Sequence, residues 1–132
     1  KLMELVTGGD FADSLNLARG IVFDMKNSKQ VLGYSAELSS SKSTFLTKLS
    51  LIQELYRDIM LSLLGQSSLQ QSKEFAGKIE QVKSEFTVDA LVEIIDKIDL
   101  CKKQFDANVN IGMIADGLLM KILEVKYLCK QK

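Results

Sequence analysis

The chain has 132 residues, 46% apolar and 26% charged, with no proline and no histidine. That is enough for one domain burying about two-thirds of its unfolded surface, and too apolar for a disordered segment. The lack of proline argues for long helices and against a β-sandwich. The 17 basic and 17 acidic residues balance, and residues 1–66 and 67–132 each balance separately, so there is no basic tail for nucleic acid or membrane.

Residues 1–6, "KLMELV", read as the end of a helix, and "TGGD" as its stop, since glycine adopts left-handed backbone at little cost. Asp10 then reads as the cap of a helix over 11–26. Phe11, Leu15, Ala18, Val22 and Met25 follow its 3.6-residue period. A short helix over 28–38 presents Val31, Tyr34 and Leu38 on one face. "SSSKS" (39–43) is a turn with a serine cap for the next helix, 43–64, which ends at Gly65. The last turns of that helix, "IMLSLLG", are apolar nearly all round, the pattern of a helix buried on several sides.

After a loop, "QSSLQQS", the helix 73–86 is amphipathic, with Phe75, Ile79, Val82 and Phe86 inward and Glu74–Lys78 paired outside. Thr87 caps a helix over 88–107. Leu91, Ile95, Ile98, Cys101 and Phe105 form its inner stripe, and Glu93–Lys97 and Asp99–Lys103 are i,i+4 pairs. In "NVN", Asn108 tolerates the left-handed conformation that ends a helix and Asn110 caps the next, with Val109 as a staple between them. The result is an antiparallel hairpin with a last helix over 111–130. From Ile111 to Leu123 only Asp116 and Lys121 are charged, so this helix is expected at the centre of the bundle or against a partner. The fold expected is all-α, a compact bundle of about five to six helices in one domain spanning 1–132.

Chemistry is sparse. There is no histidine, no Walker loop and no GxGxxG, and the carboxylates sit beside lysines at helical spacing, as on a solvated face. Asp96 and Asp99 share a helix face, but nearby Lys97 and Lys103 favour solvated charge over a metal site. Cys101 and Cys129 lie on apolar faces without a CxxC, and read as buried reduced thiols. No catalytic residue, cofactor or metal is expected. Tyr56-Arg57-Asp58 is the one unusual constellation, set in an apolar helix with Glu54 within pairing distance of Arg57. It reads as an ordinary charged strip, or as a buried or interfacial arginine with a carboxylate partner.

"LYRDIMLSLLG" (55–65) and "ANVNIGMIADGLLMKI" (107–122), with "GGDFADSLNLARG" (8–20) ahead of them, resemble the C-terminal domain of the delta-prime subunit of the bacterial DNA polymerase III clamp loader. The resemblance covers nearly the whole chain. It implies a collar-type helical bundle that packs beside the equivalent domains of the gamma/tau and delta subunits, in the pentamer that loads the sliding clamp during DNA replication. It also implies no enzymatic activity, no nucleotide site and no direct DNA contact in this segment. By the same resemblance, residues 1–9 are the tail of a preceding AAA+ lid region, and the chain is a cytoplasmic fragment of a longer subunit. Tyr56, Arg57, Asp58, Asn108 and Asn110 match the family's motifs as architecture and interface. Gly117 departs from good helix chemistry, since a helix-interior glycine costs about 1 kcal/mol against alanine, which close approach of a neighbouring helix would explain.

Two alternatives stand beside it: the collar of the gamma/tau subunit, which is built alike, and a stand-alone helical adaptor or nucleic-acid-binding regulator. Lys97, Lys102 and Lys103 are the moderately clustered basic residues that the last reading would use, and acids interleave them.

Overall fold

The computed structural model describes residues 8–70 and 73–131, in which helices joined by short turns are the regular structure and no strand occurs. The α-helices are α1 (Gly8–Arg19), α2 (Ser28–Leu38), α3 (Lys42–Leu63), α4 (Ala76–Val82), α5 (Val88–Asp106) and α6 (Ile111–Gln131). The all-α bundle expected from the sequence is the observed architecture.

The first helix departs from expectation at both ends. Gly8, Gly9 and Asp10 lie inside α1, so Asp10 is not its cap, and the helix proposed for residues 1–6 lies outside the described residues. At its other end α1 widens into a π-helical turn, Gly20–Asp24, closed by the Met25 amide donating to the Gly20 carbonyl at 2.9 Å. Tyr34 of α2 lies against this turn. A Cβ at Gly20 would sit 2.8 Å from the Tyr34 ring, so only glycine admits this approach. The Lys126 ammonium of α6 donates to the Val22 and Met25 carbonyls at 3.3 and 3.0 Å, satisfying acceptors that the end of a helix leaves open.

Local capping sets the other boundaries. Asn27 and Gln30 form a reciprocal capping box at the start of α2. Ser41 occupies the cap position of α3, but its hydroxyl bonds the Ser43 hydroxyl at 2.9 Å and caps no amide, against expectation. Gly65, at φ 74°, ends α3, and the Gln66 amide turns back to the Leu61 carbonyl at 2.7 Å. The Thr87 hydroxyl accepts from the Ala90 amide at 3.1 Å and starts α5 as expected. Asn108 adopts φ 64°, and the Asn110 side chain accepts from the Met113 amide at 3.1 Å. The "NVN" turn is thus built as its residue types require.

The central helix is α3. It packs against α1 on one side and α5 on another, and its lower half meets α4. Phe45 stacks on Phe105 at 5.5 Å, while Gln53 further along α3 bonds the Ile95 carbonyl at 3.1 Å, so α3 and α5 run antiparallel. The helix expected over 73–86 is broken into α4 between two 3₁₀ turns, Lys73–Phe75 and Lys83–Glu85. Its apolar side chains still face inward, with Phe75 6.0 Å from the Phe23 ring and Ile79 fully buried. The Ser62 hydroxyl donates to Glu80 at 2.6 Å, and Lys83 bridges Glu80 at 2.7 Å. Hydrogen bonds from Lys83 and Ser62 hold the Glu80 carboxyl below the usual range.

The second layer is α6, which packs against α5 on one edge and α2 on the other. Its inner face, Ile114, Ala115, Leu118, Leu119, Ile122 and Val125, is buried in the same core as α3 and α5. No helix among the described residues is long and apolar enough to cross a membrane.

Candidate functional site

Tyr56, Arg57 and Asp58 follow one another along α3, so they point in three directions at about 100° steps. Tyr56 is fully buried, edge-on to Phe86 at 6.0 Å, with its hydroxyl unpartnered. Burial raises its phenol well above the ordinary tyrosine value. Arg57 is exposed and Asp58 is fully buried, so the triplet is neither a uniformly solvated charged strip nor a buried arginine. Arg57 lies on an open groove of about 540 Å³ that also takes in Ser50, Gln53, Glu54 and Asp99. In it Gln53 donates to Asp99 at 2.7 Å and accepts from Lys102 at 2.8 Å. Behind Asp58, the Gln70 amide donates to its main-chain carbonyl at 2.9 Å and pins the loop after α3.

The two motifs do not converge. Phe105 on Phe45 puts the Asn108–Asn110 turn at the N-terminal end of α3, about 16 Å along that helix from Tyr56. Nor do the expected i,i+4 ion pairs of α5 form. Glu93 reaches across to Lys121 of α6 at 3.6 Å, and Asp99 accepts from Gln53. Lys78 lies over the Phe23 ring at 5.9 Å.

Gly117 belongs to a different surface, the outer face of α6. Met113, Met120 and Tyr127 recur there at intervals of seven residues and are 70%, 51% and 63% exposed, with exposed Leu128 beside them. Two polar ties bound this ridge. Asp116 accepts a hydrogen bond from Ser35 on the α2 edge, and Lys121 bridges Glu93 on the α5 edge. Between them Gly117 floors an open groove of about 580 Å³, with Lys97, Met120, Glu124 and Tyr127 around it. A Cβ at Gly117 would meet only the Lys97 Nζ, at 3.8 Å. Apart from that ammonium, nothing among the described residues outside α6's own turns comes within 4 Å of the added carbon, so close helix packing among them does not explain the glycine.

The sequence reading singled out Gly117 and missed the ridge around it. The seven-residue recurrence of Met113, Met120 and Tyr127 was available as a signal. It is masked because the opposite face of the same helix is equally apolar.

A third cavity, of about 380 Å³, lies where the start of α3 meets α1 and α2, lined by Ser14, Glu37, Ser40, Ser43 and Lys48 among others. The Lys48 ammonium there donates to the Glu37 carbonyl at 2.8 Å and to the Ser40 hydroxyl at 3.3 Å, closing the end of α2. Ser14 is buried with its hydroxyl unpartnered.

Among the described residues no group of three or more His, Cys, Asp or Glu side chains is arranged to hold a metal ion. Cys101 is buried and free, and burial raises its thiol above the ordinary value, against a smaller opposing pull from Lys97. A thiol so placed is protonated and a poor nucleophile. Cys129 lies outside the described side chains. Comparison of the chain with protein-family models, with curated proteins and with solved structures finds no match.

Proposed function

We propose that this chain is a non-catalytic helical assembly domain, joining its parent subunit to neighbouring subunits of a complex through the outer face of α6. The observation that carries this reading is the ridge of Met113, Met120 and Tyr127. These are three large apolar side chains more than half exposed along one helix face, with a glycine at their centre. Large apolar side chains lined up on a surface mark a protein–protein contact.

In its finer form the proposal is the collar domain of a delta-prime-type clamp-loader subunit, with the gamma/tau collar as the alternative. Support for it comes from the order of "LYRDIMLSLLG", "ANVNIGMIADGLLMKI" and the leading "GGDFADSLNLARG" within an all-helical chain. Balanced charge and the interleaving of Lys97, Lys102 and Lys103 with acids weigh against a nucleic-acid reader.

The test is light scattering after size-exclusion chromatography, with the chain alone and then mixed with gamma/tau and delta collar domains from the same organism. A stable hetero-complex is expected. A folded chain that associates with none of them overturns the collar assignment.

A further inference from the structure

We infer that the α6 groove receives a single helix of another subunit, one that seats a large apolar side chain on Gly117 and brings a carboxylate to Lys97. This inference rests on the assembly-domain reading.

The first ground is steric. Gly117 is exposed in the interior of a 21-residue helix, where glycine is a poor choice, and among the described residues only the Lys97 ammonium, 3.8 Å from an added Cβ, reaches the space above it. Met120 and Tyr127 wall this space on the side of the ridge, so it presents an apolar socket open to the outside. A helix laid along the ridge presents one side chain to that socket and apolar neighbours to Met113 and Tyr127, with the spacing of knobs into holes.

The second ground is charge. The Lys97 ammonium stands over Gly117 and makes no hydrogen bond or ion pair among the described residues. Its neighbour Lys121 already shares Glu93 and Glu124, at 3.6 and 3.5 Å. The edge of the socket therefore calls for a carboxylate from the incoming helix, which would fix register and partner choice more than it adds affinity.

The same groove charges disfavour a parallel second copy of this chain, which would set Glu124 against Glu124 within the seam.

The experiment compares the parent chain with Gly117→Leu and Lys97→Glu, each assayed by titration against the collar domain that binds the parent, and each by thermal melting. Gly117→Leu fills the socket while removing a helix-interior glycine. It is expected to raise the melting temperature by about 3–5 °C and yet weaken association about tenfold or more. Lys97→Glu is expected to weaken association about tenfold and leave melting unchanged, with Lys97→Arg retaining binding. A merely structural glycine would give the opposite signs for Gly117→Leu, with lower melting and unchanged binding, and that result overturns the inference. If the parent forms a complex that both variants form equally well, the socket is not the contact, and the assembly reading survives without it. If the parent forms no complex, both fall together. If Gly117→Leu instead dissolves a dimer of the parent alone, the occupant is a second copy and the choice of partner is wrong.

Discussion

Tyr56 carries the one buried phenol of the described core, and its hydroxyl has nothing to bond. Removing a buried, unpartnered polar atom while keeping the ring returns its desolvation cost, about 1–3 kcal/mol. Tyr56→Phe is therefore expected to stabilise the fold by about 1 kcal/mol or more in urea denaturation. The edge-on contact with Phe86 survives the change, because it needs only the ring. A loss of stability would show that the hydroxyl has a partner after all. Legibility differed sharply between single residues. Asn108 and Asn110 were readable because their roles depend on their own backbone and the next turn of helix. Arg57 and Asp58 were not. Adjacent helical residues look in different directions, and α3 has neighbours on several sides, so the packing of α1, α4 and α5 decides which charge is enclosed.

Among the elements, α6 shows most clearly what a hydrophobic pattern conveys. Its residues are apolar on two faces, one facing the core and the other bare. The faces respond differently to truncation. Leu119→Ala, at a fully buried position, is expected to cost about 2–5 kcal/mol by opening a cavity. Met120→Ala, one residue further on and half exposed, is expected to change stability by no more than about 0.5 kcal/mol. Parallel urea melts of the two variants check this, and a comparable loss in both would mean that Met120 is covered in solution by the chain itself. Elsewhere, an element came out more broken than its periodicity suggested. The period of 73–86 is helical, yet the segment divides into α4 and two 3₁₀ turns. The inward residues keep their face under either winding, so the pattern of apolar side chains cannot distinguish them.

For the whole molecule, Cys101 reports on cooperativity. Its thiol is fully buried between α5 and the rest of the core, with its ionisation disfavoured by that burial. A reagent that needs the thiolate reaches it only when the bundle opens. In a Cys129→Ser background, labelling under native conditions is expected to run slower than in the unfolded chain by a factor of about 10³ or more, and to accelerate with urea in step with global unfolding. Rapid labelling that ignores urea would mean that the α5–α6 layer opens independently of α3. The ties that run between layers argue for one unit. Lys126 holds the end of the π-helical turn, Ser35 holds Asp116, and Glu93 holds Lys121.

Read alone, the sequence determined the helical class, the positions of α2, α3, α5 and α6 to within a residue or two, and the chemistry of the Gly65, Thr87 and Asn108–Asn110 boundaries. Each of these follows from interactions that span five residues or fewer: a periodic stripe, a cap, a left-handed turn. Only the tertiary structure decided that α1 takes in Gly8, Gly9 and Asp10 and ends in a π-helical turn. It also decided that Asp58 is enclosed while Arg57 is not, and that Glu93 pairs across to α6. It decided as well that the outer half of α6 is left uncovered, with Gly117 at its centre. The physical reason is common to all of these. Hydrophobic periodicity says that a face must be buried but not against what, and only the arrangement of the other helices shows which apolar face this chain covers and which it leaves for another.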